Sequence, residues 1–311
     1  MKYFIFSLAM LVLGIPSFGQ DIFTLKNNVI QINVKKTGAE LCGIKLLSNG
    51  KDYMWNGDPK VWGGISPVLF PIVGVLKDHS YFLDGEKYTM PNHGFFQRNS
   101  HVELAASSDS SLTFKLDYSE ETLKKYPFEF EFLITYTLRK NKVIVSQEVK
   151  NLGNTDMYFS LGAHPSFKCP VDSGEKYTDY YLDFELAETA YTYPIEPSGL
   201  LGKKTNLILN NSHIIELNYH LFEKDALVFK DIKSKRVNLC SRISGKRVQV
   251  DFEGFPYLGF WGKPNADYVC IEPWLGVNDG VDTDQNFKTK EGIIKLIKKN
   301  SFKATYSISI Y

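Results

Sequence analysis

The sequence predicts an all-β fold, one large domain in which antiparallel strands pack as a β-sandwich of two sheets. Three observations in the 311 residues carry that prediction. Apolar and polar residues alternate with a period of two over long stretches. Helix signals are few. No linker, internal repeat or shift of composition divides the chain. A single β domain of this length needs many strands, and two packed sheets give each strand a face to bury.

The elements follow in order. Residues 1–19 read as a signal peptide: Lys2 supplies the positive end, Phe4 to Leu13 an apolar run, and Pro16 its stop. Ser17 and Gly19 are the small residues of a cleavage site, so the mature chain is residues 20–311, beginning at Gln20. A membrane span takes roughly 20 apolar residues. No stretch reaches that length, so the expectation is an exported, periplasmic protein without membrane insertion of the mature chain. Between Val29 and Leu47 two strands flank a turn at Thr37-Gly38-Ala39. Ser119, Glu120 and Glu121 start one short helix, which Lys124 and Lys125 favour at its end and Pro127 stops. Phe128, Phe130, Phe132, Ile134, Tyr136 and Leu138 line one face of a strand, and Val143 to Val149 returns beside it after a turn at 140–142. Phe302, Ala304, Tyr306, Ile308 and Ile310 repeat the pattern at the C-terminus.

Composition excludes several partners. Thirty-six Lys and Arg face 35 Asp and Glu, so no strong field attracts nucleic acid or an anionic membrane. Twenty-two Phe, 18 Tyr and four Trp suit pleated sheets, and they suit sugar-binding clefts as well. Cys42, Cys169, Cys240 and Cys270 show no CxxC pair and no adjacent His, which points to buried free thiols and no metal site. Nucleophile-elbow, phosphate-loop and zinc-protease motifs are missing from the sequence. Asp282 to Asn286 starts like a calcium loop, but Phe287 and Ile293 stand where that loop needs Gly and Glu.

Three short segments remain. His93 lies in Pro91-Asn92-His93-Gly94-Phe95, His164 in Leu161-Gly162-Ala163-His164-Pro165-Ser166-Phe167, and Glu272 in Val269-Cys270-Ile271-Glu272-Pro273-Trp274. A carboxyl closing an apolar strand beside Trp is partly desolvated, which raises its pKa and suits proton transfer. Read singly, each histidine is equally a hydrogen-bonded structural residue.

At these residues the chain resembles the aldose 1-epimerase (mutarotase) family, in the branch lacking the galactose-mutarotase hallmark segments. The other matching stretches are Ser66 to Gly74, Asp225 to Phe229, Asp251 to Leu258 and Lys290 to Ile294, in order over nearly all of the mature chain. The resemblance implies a large galactose mutarotase-like sandwich whose concave face binds an aldohexose and interconverts its anomers. It implies His164 as acid, Glu272 as base, His93 as a donor to the ring oxygen, and Asp225 as a ligand of sugar hydroxyls. Phe70, Phe95, Trp261 and Trp274 are the candidate apolar platform. A hemiacetal opens by proton transfer alone, so no cofactor and no metal is expected. Two alternatives stay open: a sugar-binding protein without turnover, and a glycoside hydrolase using two carboxylates. One departure stands out. Phe96-Gln97 displaces Arg98 by one position, and in a strand that would turn the guanidinium to the opposite face and favour an uncharged sugar.

Overall fold

The computed structural model describes residues 22–311, and the expected signal peptide lies outside them. The period-two pattern produces the first large sheet. In Phe130–Arg139 every second residue from Phe130 to Leu138 is buried, while the residues between are partly exposed. Lys142–Asn151 pairs with it so that Val145 faces Tyr136 and Val149 faces Phe132. Ser301–Ile310 adds on the other side, with Tyr306 opposite Val145. These cross-strand aromatic and β-branched pairs are the unit of sheet stability.

Nine strands complete this sheet, in the order Asn206–Glu216, Tyr180–Thr192, Arg236–Ser241, Gly245–Asp251, Ser301–Ile310, Lys142–Asn151, Phe130–Arg139, Ser111–Asp117 and Glu103–Ser107. A second sheet of six strands packs against it. Its path runs Leu227–Phe229, Tyr257–Trp261, Tyr268–Leu275, Leu161–Ala163 and Val68–Leu69, with Ser166–Lys168 also pairing to Tyr268–Leu275. The named ladders in both sheets are antiparallel. Tyr268–Leu275 is buried at every position and has paired strands along both edges. That strand carries Glu272. Smaller elements close the ends, among them the three-stranded sheet Ile22–Lys26, Ile30–Lys35 and Glu40–Leu46. The single short α-helix among the described residues, Glu120–Leu123, is held by a capping box. Thr122 N donates to Ser119 Oγ, and Ser119 N donates to Thr122 Oγ1.

Phe70 and Phe95 do not line the cavity that the other candidates share; Phe70 is part of the core, and Phe95, partly buried, packs against it. Phe70 is fully buried and stacks on Phe132 of the nine-stranded sheet at 4.7 Å, tying the six-stranded sheet to it. Phe95 packs edge-on to Phe70 and beside Phe130, each at 6.0 Å. The backbone sets both directions. Phe95 N donates to Phe70 O at 3.1 Å, so both rings are delivered into the space between the sheets. Gly94 makes that approach possible: it has φ +74°, and a Cβ there would sit 2.1 Å from Phe70 O.

Phe70→Ala is therefore expected to lower unfolding stability by about 3–5 kcal/mol, as deletions of buried rings do. Chemical denaturation checks this. A change in sugar KM with unaltered stability would contradict the core placement.

Candidate active site

Sheet register gathers the chemistry on one cavity of about 600 Å³, and His93, His164, Asp225, Trp261, Glu272 and Trp274 all line it. His164 sits in the two-residue gap between Leu161–Ala163 and Ser166–Lys168. Its N–H donates to Pro67 O at 3.1 Å, and Ile271 N donates to the adjacent Pro165 O at 3.1 Å. This crossing sets the imidazole against the middle of the Glu272 strand. His164 Nε2 lies 3.3 Å from Glu272 Oε2, and both side chains are at least nine-tenths buried.

Burial dominates the electrostatics. Desolvation pushes the Glu272 carboxyl well above the usual carboxylate range; the Trp274 indole N–H opposes this and the charge of Asp225 adds to it. Desolvation, with His93 as neighbour, pushes His164 well below the usual imidazole range. Both shifts favour the neutral form, a carboxylic acid facing a free imidazole. Among the described residues, Glu272 Oε2, His164 Nδ1 and Trp274 Nε1 are buried and, apart from the approach of the Trp274 indole to the Glu272 carboxyl, have no hydrogen-bond partner. A cluster of such orphans costs stability unless a ligand completes it.

His93 is the second imidazole, edge-on to His164 with ring centroids 5.7 Å apart. Gly74 N donates to His93 Nδ1 at 3.1 Å, and His93 N donates to Gly74 O at 2.9 Å. An occupied Nδ1 acceptor puts the proton of the neutral ring on Nε2, leaving a single donor. Gly74 has φ +72°, and a Cβ on it would meet Asn278 Oδ1 at 2.0 Å. Asn278 lines the cavity in turn. A buried pair behind it, Lys290 Nζ and Asp279 Oδ1 at 3.2 Å, holds that loop, and Asp279 Oδ2 accepts from Lys77 N at 3.0 Å.

Asp225 is exposed at the cavity with φ +85°, its own carboxylate accepting from Ala226 N at 2.7 Å. A non-glycine residue held at such an angle is strained, a feature that clusters at functional sites.

Sequence reasoning missed Trp62. Its ring stacks on His164 at 5.0 Å and meets Trp261 edge-on at 5.3 Å, so aromatic rings desolvate the imidazole from two sides. The Trp62-Gly63-Gly64 run just before the matched Ser66 segment was the available signal. Glu40 was also missed. It lines the cavity and accepts from Ile65 N at 2.7 Å and Ser66 N at 3.0 Å, pinning the chain that leads to Pro67.

Arg98 requires a correction. Phe96–Arg98 is a 3₁₀ turn and not a strand, so the two-fold alternation does not apply, and Gln97 and Arg98 both line the cavity. The expectation of an uncharged sugar loses its structural basis.

The family model for aldose 1-epimerase matches residues 21–291. The chain belongs to the aldose 1-epimerase family. It is 34% identical over 295 residues to Protein LacX of Lactococcus lactis subsp. lactis, covering 92% of this chain and 98% of that one. Among solved structures it is similar to a galactose mutarotase related enzyme from Lactobacillus acidophilus, with TM-score 0.89 and 33% identity over 94% of this chain and 97% of that chain. A galactose mutarotase-like protein from Lactobacillus casei gives TM-score 0.87 and 26% identity over 94% and 100%. The galactose mutarotase-like sandwich expected from the motifs is thus the fold of this chain.

His93 supplies a direct check of the site's electrostatics. Desolvation, and then the charge of Arg98, push its pKa down to about 4. Because the shift is downward, the ring stays neutral at every pH above that value and gains its second proton only below it. A titration followed by nitrogen NMR is expected to show an Nε2–H tautomer persisting to about pH 4. A midpoint near the ordinary imidazole value would contradict the desolvated geometry.

Proposed function

We propose that the protein is an exported aldose 1-epimerase that interconverts the α and β anomers of an aldohexose. The observation that carries this reading is the desolvated His164–Glu272 pair, 3.3 Å apart, opening on a cavity with aromatic walls. Anomerisation needs one proton delivered to the ring oxygen and one removed from the C1 hydroxyl. A buried acid and base that share one proton supply both in a single step, without building net charge in a low-dielectric site.

With no sugar present, burial favours the neutral arrangement. The ion pair differs from it only in where the proton sits, so the two forms carry the same total charge. In the ion-paired form His164 donates to the ring oxygen and Glu272 accepts the C1 hydroxyl proton. The hemiacetal C1–O bond breaks and a carbonyl forms at C1. The open chain rotates about C1–C2, and closure from the other face runs the same transfers backwards. His93 Nε2–H is a fixed neutral donor suited to the ring oxygen, and Asp225 is an acceptor for hydroxyls at the rim. Trp261 and Trp274, with Trp62, offer faces for the apolar side of the ring.

Polarimetry of a freshly dissolved anomer tests this. Glu272→Gln and His164→Gln are each expected to lower kcat by about 10²–10⁴-fold, the range for loss of a general acid or base. Sugar affinity is expected to change much less. Wild-type rates equal to spontaneous mutarotation would overturn the proposal and leave the binding reading, and release of reducing ends from an oligosaccharide would favour the hydrolase.

Export is the second part of the proposal, and it rests on residues 1–19 alone: Lys2, the run Phe4 to Leu13, and Ser17 and Gly19 before the cut. N-terminal sequencing of protein recovered from the cell envelope is expected to begin at Gln20. Retention of Met1 would contradict cleavage.

A further inference from the structure

Cys270 has no histidine near it in sequence, yet the fold carries it to the catalytic pair. It lies two residues before Glu272 on the same face of Tyr268–Leu275, with Trp261 opposite it on the neighbouring strand. One donor atom each from His164, Cys270 and Glu272 lie within 4.8 Å of one another, and all three residues are buried. We propose that these three side chains form a binding site for a soft or borderline divalent cation of the zinc or cadmium type, and that the bound ion blocks proton transfer by the pair.

The geometry favours an ion over a simple contact. Ligands bonded at 2.0–2.1 Å to one tetrahedral ion stand roughly 3.4 Å apart. His164 Nε2 and Glu272 Oε2 stand 3.3 Å apart. That is slightly long for a hydrogen bond, and Glu272 Oε2 makes none of ordinary geometry among the described residues. The two atoms are therefore at ligand spacing, and an entering dication would take the place of the proton that the pair shares. A thiolate bonded at about 2.3 Å would lie roughly 3.6 Å from each of them. That spacing falls inside the 4.8 Å bound on the three donor atoms.

Charge and donor type agree. A thiolate and a carboxylate cancel a dication, and a neutral imidazole adds no charge, so the loaded site is neutral overall where burial makes net charge costly. The thiol and the carboxyl each release a proton to solvent as the ion enters. One sulfur, one nitrogen and one oxygen select zinc or cadmium over magnesium or calcium, which take oxygen alone. His164 and Glu272 both open on the cavity, which provides the entry path and a free fourth position. The inference rests on donor geometry and does not depend on the turnover proposed above.

Cadmium alone is the first probe. Titrated into the wild-type protein, it is expected to raise a cadmium–thiolate charge-transfer band that saturates at one ion per chain. The band is expected to vanish in Cys270→Ser, to survive in Cys42→Ser, and to need at least about tenfold more cadmium in Glu272→Gln. A band unchanged in folded Cys270→Ser, or no band in the wild type, would overturn the site. Should Cys270→Ser fail to fold, X-ray absorption on the cadmium-loaded wild type decides, with one sulfur among nitrogen and oxygen ligands expected. No sulfur, or more than one, refutes the site. Zinc is then expected to suppress wild-type mutarotation reversibly by chelator, measured against the metal-free rate; suppression that is equal in Cys270→Ser would refute the blocking role. If the wild type shows no mutarotation, the cadmium band still decides the site, so the two proposals fail separately.

Discussion

The structure depends on desolvation of one pair, Glu272 and His164. Glu272 stands on a strand buried at all eight positions, and His164 is stacked under Trp62. Their environment raises the proton affinity of one and lowers that of the other. A carboxyl and an imidazole in water differ in pKa by about two units, with the carboxyl the stronger acid. In this cleft burial works against that order from both sides, favouring a proton held without charge. Such a pair can give and take a proton with little electrostatic reorganisation, which is the requirement of a reaction that runs equally in both directions.

The rest of the structure keeps that arrangement dry and aligned. The nine-stranded sheet supplies the packing mass, and Phe70 stacked on Phe132 anchors the six-stranded sheet to it. Glu40 holds the chain before Pro67, and Pro67 O accepts from His164 N. On the far side, Lys290 and Asp279 hold the loop bearing Asn278, which packs on Gly74, the donor to His93. Each imidazole is thus oriented by backbone that is itself fixed by a charged side chain, partly buried in Glu40 and buried in the Lys290–Asp279 pair. Replacing such charges leaves a partner unpaired in low dielectric, so their loss damages the site from a distance.

Much of the fold was legible because one-sided burial writes itself into sequence. Phe130 to Leu138 alternates since one face meets the core and the other meets water, and the hairpin to Val149 follows from it. The site was legible only through ordered motifs, because a histidine beside Pro165 looks the same whether it holds a turn or moves a proton. Phe70 and Phe95 were misassigned for a related reason. An aromatic in a matched segment has the same chemistry in a core as in a cleft, and only the Phe95 N to Phe70 O hydrogen bond fixes its direction. Arg98 was misread because a strand period was applied to a 3₁₀ turn. Trp62 escaped because loops carry no period. Cys270 escaped because its neighbours, His164 and Glu272, come together only across strands.

The most direct measurement is a crystal structure of Glu272→Gln with an aldohexose bound, where turnover is slow enough to hold one anomer. The ring oxygen is expected within about 2.6–3.2 Å of a nitrogen of His164 or His93, and the C1 hydroxyl within the same reach of residue 272. A sugar seated with C1 turned away from residue 272, or bound outside this cavity, would contradict the proposed mechanism.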